Sequence, residues 1–98
     1  MILGLDWDET FTADPELWAA FVRIAGRRGH RVVIVTYRYP RHVGDIRRML
    51  RRLRLRVPLL ATSRRPKRPY ALAHGFDVDV WIDDLPELIP KIDGRVLA

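Results

Sequence analysis

The chain has no cysteine, which removes disulfides, thiolate-bound metals and thiol nucleophiles from consideration. It also lacks any apolar run near the ~18 to 20 residues that a bilayer-spanning helix requires, so a soluble protein with no membrane partner is expected. The start, Ile2-Leu3-Gly4-Leu5, reaches acids at Asp6 without the basic lead and long apolar stretch of a secretory signal, and a cytoplasmic location is the default. Glycine is sparse, six in 98 residues, and no repeat or low-complexity linker divides the chain. Those features fit a single domain over residues 1–98, because domains rarely fall below ~50 residues. With 48% apolar residues, disorder is excluded as well.

The middle of the chain lacks acid. Between Arg23 and Arg68 stand sixteen bases and one acid, Asp45, a net +15, whereas the flanks carry two bases and eleven acids, a net −9. This division predicts an acidic site beside a basic surface. Arginine outnumbers lysine sixteen to two, a bias that GC-rich coding also produces, so the basic stretch is a footprint for polyanions and not a reader of sequence.

Short apolar runs alternate with helical patterns. Ile2 to Asp6 reads as a strand entering an acidic loop. Asp14-Pro15 reads as an N-cap with proline at the first helical position, followed by Leu17, Ala20, Phe21, Ile24 and Ala25 at the spacing of one buried face. Arg27, Arg28 and Gly29 close that helix. Arg31 to Thr36 is a β-branched run suited to a strand buried on both faces. Val43, Ile46, Leu50 and Leu53 then define a second helix whose other faces carry Arg47, Arg48, Arg51, Arg52 and Arg54. Val57 to Ala61 reads as a third strand, with Pro58 tolerable near its start or on an edge. A short helix follows near Pro69 to His74, closed by Gly75. Val78 to Asp83 is a fourth strand, Leu85 to Ile89 a short helix, and Arg95 to Leu97 a fifth strand. Alternation of this kind predicts an α/β domain, a parallel sheet with helices on both faces.

Ligands of open α/β sheets bind beyond the carboxyl ends of the strands. There the sequence places Asp6-Trp7-Asp8-Glu9-Thr10, then Thr36-Tyr37-Arg38, then Lys67, and finally Asp83-Asp84. Clustered carboxylates repel and call for a cation, and an all-oxygen set suits Mg²⁺; a hydroxyl and an ammonium beside it suit a phosphoryl group. Trp7, Tyr37, Tyr39, Arg38 and Arg41 lie on the same rim loops and are candidate substrate contacts. Trp18 and Trp81 read as core, and His30, His42 and His74 as surface residues.

These residues resemble the phosphatase branch of the haloacid dehalogenase superfamily. Its first motif, D-x-D-x-[TV], is matched by Asp6, Asp8 and Thr10; its second, Thr or Ser closing strand two, by Thr36. Its third, a lysine near the start of the helix before strand four, is matched by Lys67, and its fourth, an acidic pair after strand four, by Asp83 and Asp84. The resemblance runs from Ile2 to Leu97. It implies a three-layer Rossmann-like fold with strand order 3-2-1-4-5, and an Mg²⁺-dependent reaction in which Asp6 is the nucleophile and Asp8 the acid and base. It further implies that Asp6, the Asp8 carbonyl, Asp84 and Asp83 surround the metal, that Thr36 and Lys67 hold phosphoryl oxygens with backbone N–H groups near Trp7 and Tyr37 beside them, and that Thr10 braces the loop.

The family's usual flap and cap are missing. Only Phe11, Thr12 and Ala13 separate Thr10 from Asp14, and no later loop can hold a cap domain, so the site is expected to be open. An open site implies a large substrate, a second copy of the chain completing it, or weak activity. Arg47, Arg48, Arg51 and Arg52 make a nucleotide or nucleic-acid end the favoured phosphorylated substrate. The alternative is a weakly catalytic module of the same fold that binds nucleic acid or protein.

Overall fold

The computed structural model describes residues 1–89. Four parallel strands, β1 (Ile2–Leu5), β2 (Arg31–Thr36), β3 (Leu59–Ala61) and β4 (Val80–Ile82), form one sheet in the order β3-β2-β1-β4. The helices α1 (Pro15–Arg27), α2 (Gly44–Arg52) and α3 (Lys67–Ala73) connect them, with 3₁₀ turns over Phe11–Ala13, Pro40–His42 and Pro86–Leu88. The expected α/β class and parallel sheet are therefore present. The expected fifth strand, Arg95 to Leu97, lies outside the described residues.

The pleat sends alternate residues to opposite faces. Leu3, Leu5, Val32 and Ile34 pack with Ala19, Val22 and Ala25 of α1 and Ile46 and Leu50 of α2. On the other face Val33 and Val35 pack with Ala71 of α3 and with Val78. Gly4 faces that second layer, where a Cβ would lie 2.7 Å from the indole of Trp81; the absent side chain is what admits the tryptophan.

Element boundaries follow local chemistry. Asp14 caps α1, its side chain accepting from the Leu17 N–H at 3.2 Å, with Pro15 in the first turn. The strand expected from Val57 is confined to Leu59–Ala61, although the Pro58 carbonyl still accepts from the Ile34 N–H at 2.9 Å. Proline has no N–H to give, and it stands at the outer strand of the described sheet. The strand expected over Val78 to Asp83 is likewise shortened to Val80–Ile82, and the helix expected over Leu85 to Ile89 is a single 3₁₀ turn. Helix α3 begins two residues before the expected Pro69, at Lys67.

The buried face of α1 is a correction. Leu17 and Ile24, expected inside, are 56% and 51% exposed, and Ala20 also faces out, while Ala19, Val22 and Ala25 meet the sheet. Apolar residues surround this helix almost completely, so periodicity does not select a face, and the small side chains allow the closest approach.

All three helices end in one hydrogen-bond pattern, seen in His30 N–H to the Ala25 carbonyl, Leu55 N–H to Leu50 and Phe76 N–H to Ala71, each 2.9 Å. The pattern needs a left-handed residue just past the helix. Glycine fills it after α1 and α3, at Gly29 (φ 83°) and Gly75 (φ 90°), whereas Arg54 (φ 57°) fills it after α2.

Candidate functional site

Parallel register brings the four carboxyl ends to one edge, with Leu5 level with Ile34 and with Ile82, and Thr36 with Ala61. The Asp6 N–H continues the ladder by donating to the Ile82 carbonyl at 2.9 Å. Asp6 thus stands at the base of an open cleft of about 190 Å³ lined by Asp6, Asp8, Glu9, Tyr37, Lys67 and the Asp83–Leu88 segment.

Lys67 organises this cleft. Its ammonium is 1% exposed and donates to Asp6 Oδ1 at 2.8 Å and to Asp83 Oδ2. Set among Arg64, Arg65 and Arg68, it reads in sequence like another solvated base; the start of α3 at Lys67 instead turns it inward. Thr10 bridges the remaining oxygens, its hydroxyl lying 3.2 Å from Asp6 Oδ2 and 3.3 Å from Asp84 Oδ1. This is the bracing position expected for Thr10.

Asp6, Asp83 and Asp84 offer ligand oxygens within 4.8 Å of one another. One lysine does not neutralise three carboxylates. Burial pushes the Asp6 carboxyl up to about 7, against the pull of Lys67 and with help from Asp84 and Asp83. The hydrogen bond with Asp6 holds Asp84 below the usual carboxylate range, so the proton the pair shares resides on Asp6. A buried, all-oxygen, over-charged set of this kind is one that a hard divalent cation could occupy.

Asp8 points elsewhere. Its carboxylate pairs with Arg38, which donates from Nη2 to Oδ1 at 2.6 Å and from Nε to Oδ2 at 3.0 Å. The side chain of Asp8 is not in the carboxylate cluster, which leaves its backbone carbonyl as the donor expected for a metal. Arg38 also donates from Nη1 to the His42 carbonyl at 2.9 Å and to Asp45 Oδ1 at 2.6 Å. Those carboxylates raise the Arg38 guanidinium further above its ordinary range, and Arg38 in turn lowers Asp45.

Three expectations need correction. Trp7, expected to meet substrate, is 2% exposed and stacks on Phe11 with ring centroids 4.3 Å apart; only its backbone serves the rim, the carbonyl accepting from the Thr10 and Thr12 N–H groups. Arg38, also expected to meet substrate, has its fork engaged by Asp8, Asp45 and His42. Thr36 is 1% exposed and outside the cleft lining, its hydroxyl accepting from the Arg38 N–H at 3.4 Å, so it shapes the turn after β2. Tyr37 does line the cleft. Arg47, Arg48, Arg51 and Arg52 are exposed along α2 and none lines the cleft. Leu85 and Leu88, absent from the expectations, give the cleft an apolar wall; a proline-anchored turn straight after the acidic pair is the sequence signal for them.

No protein-family model, curated protein or solved structure matches the chain. Among the described residues, no helix is long and apolar enough to cross a membrane.

Proposed function

We propose that the chain is an Mg²⁺-dependent phosphomonoester hydrolase of the haloacid dehalogenase type, in a minimal form with five strands in the order 3-2-1-4-5 and no cap. The observation that carries this reading is Lys67, buried between Asp6 and Asp83 at the carboxyl edge of a parallel sheet. A lysine, a carboxylate at the end of the first strand and an acidic pair at the end of the fourth form the constellation that this chemistry needs.

Mg²⁺ suits the donors present, because Asp6, Asp83 and Asp84 supply only oxygens and the raised Asp6 carboxyl marks negative charge that Lys67 leaves uncompensated. Bound by those residues, it would offset the repulsion between a carboxylate and a phosphoryl group. Asp6 then attacks phosphorus, the ester P–O bond breaks, and Asp8 gives a proton to the leaving oxygen. Asp8 next takes a proton from the water that attacks the aspartyl-phosphate, which frees inorganic phosphate and restores the Asp6 carboxylate. Lys67 orients Asp6 and donates to phosphoryl oxygens, and Tyr37 with Leu85 and Leu88 borders the leaving group.

The test is hydrolysis of an aryl phosphate and of a panel of nucleotides and end-phosphorylated oligonucleotides, with and without Mg²⁺. Acid-quenched protein should carry a phosphoryl group on Asp6, and Asp6→Asn should remove turnover. Full activity in Asp6→Asn would refute the assignment.

A second reading, a binding module with little turnover, is favoured by one observation, the engagement of Asp8 by Arg38. It predicts binding of the panel without phosphate release.

A further inference from the structure

The rim is divided by charge along the strand order. In the sequence β3-β2-β1-β4, the loops after β1 and β4 carry Asp6, Asp8, Glu9, Asp83 and Asp84, and the loops after β2 and β3 carry Arg38, Arg41, Arg64 and Arg65. The two basic loops are tied together. Ser63 N–H donates to the Arg38 carbonyl at 3.0 Å and Arg64 N–H to the Tyr37 carbonyl at 2.8 Å. Ser63 and Arg64 are both left-handed, with φ of 56° and 64°, a conformation that costs a side-chain-bearing residue roughly 1–2 kcal/mol.

That turn delivers Arg64 to Tyr39. The Arg64 guanidinium lies 6.0 Å from the Tyr39 ring centroid and that of Arg41 lies 4.7 Å from it. Arg38 is consumed by Asp8 and Asp45, but neither Arg41 nor Arg64 has a carboxylate partner among the described residues. Two like charges are thus gathered on one ring without a counter-ion, and an exposed ring offsets only about 0.5–1 kcal/mol per cation. An anion between them would remove the repulsion.

We propose that Tyr39, Arg41 and Arg64 form a second phosphate site, which holds a phosphodiester of a single-stranded nucleic acid whose phosphorylated end enters the cleft. This deepens the proposed function by naming the substrate class and rests on it in that respect. Neighbouring strands are ~4.8 Å apart, so the loops after β3 and β1 are separated by roughly 10 Å, a distance a few nucleotides cover. Tyr37, which lines the cleft, stands two residues before Tyr39 and joins the two halves. Paired guanidiniums beside an aromatic ring suit phosphate and base together, which favours nucleic acid over an acidic peptide. The site lies on the rim and makes no use of α2.

The test is fluorescence anisotropy of a labelled single-stranded oligonucleotide with a terminal phosphate, titrated with Asp6→Asn protein over a range of salt. Adding Arg41→Gln and Arg64→Gln should lower the slope of log K against log salt by about 1.4, two contacts at ~0.7 each. Arg27→Gln with Arg28→Gln, at the opposite edge of the sheet, should leave the slope unchanged. An unchanged slope in the Arg41/Arg64 pair, an equal loss in both pairs, or tighter binding of a charge-matched phosphopeptide would overturn the proposal. Wild-type hydrolysis of an aryl phosphate without oligonucleotide binding would overturn this site and leave the proposed function standing. Oligonucleotide binding that follows the Arg41/Arg64 pattern without hydrolysis of any phosphate would do the reverse.

Discussion

Arg38 and Asp8, thirty residues apart in the chain, are joined by two hydrogen bonds of 2.6 and 3.0 Å, and the far side of the same guanidinium is held by Asp45 at 2.6 Å. The loop after β1, the loop after β2 and the first turn of α2 meet at one side chain. Arg38 therefore positions Asp8. In Arg38→Ala the Asp8 carboxylate loses its fixed direction, which should lower kcat/KM for an alkyl phosphate about 10- to 100-fold. An activated aryl phosphate, whose leaving group needs little protonation, should lose much less. Steady-state kinetics on the two substrates measures the difference, and equal losses would refute a positioning role.

Removal of Lys67 should be severe for the fold as well as the site. Lys67→Met deprives Asp6 and Asp83 of their buried cation, and breaking a buried pair from one side costs about 3–5 kcal/mol. Urea unfolding should show this loss, and millimolar Mg²⁺ should restore part of it.

Stability should fall with rising pH through the range in which Asp6 ionises. Its folded carboxyl is raised from the ordinary 3.8 to about 7, so the native state holds a proton that the unfolded chain has released. That contribution is complete below the unfolded value and is lost between about pH 4 and pH 7. Asp6→Asn should remove this decline. Mg²⁺ competes with the proton, so its stabilisation of the wild type should be larger at pH 8 than at pH 5, as thermal melts at fixed metal would show.

The end of α2 offers a stabilising substitution. Arg54 occupies a left-handed position that Gly29 and Gly75 fill in the other two helices. Arg54→Gly should raise stability by up to about 1 kcal/mol, read as an increased urea midpoint at an unchanged slope.

Much of this arrangement was legible in the sequence because local chemistry fixes it. Asp14-Pro15 marks the start of α1, and the run from Arg31 to Thr36 has the bounds of β2. The placing of Asp6, Lys67, Asp83 and Asp84 together also follows from strand alternation. What was not legible depends on side-chain direction. Trp7 and Arg38 lie on rim loops, and position alone suggested that both face a ligand. One instead folds back onto Phe11, and the other finds opposite charge across the strand pair. The register that sets Leu5 level with Ile34 also brings Asp8 and Arg38 to similar height, a relation visible only once the strands are known to be neighbours. The burial of Lys67 depends on the left-handed Ser63 and Arg64, which no composition rule anticipates.

The stack of Trp7 on Phe11 has a mechanical consequence for the loop between Asp6 and Thr10. Its two largest side chains belong to the same buried cluster as β1 and β2, and the Trp7 carbonyl holds the Thr10 and Thr12 N–H groups. Opening this loop means extracting an indole from the core, so the loop and the sheet form one cooperative unit in hydrogen exchange. The acidic half of the rim is rigid for that reason, and adaptation to ligands of different shape falls to the loops that carry Tyr37, Tyr39 and Arg64.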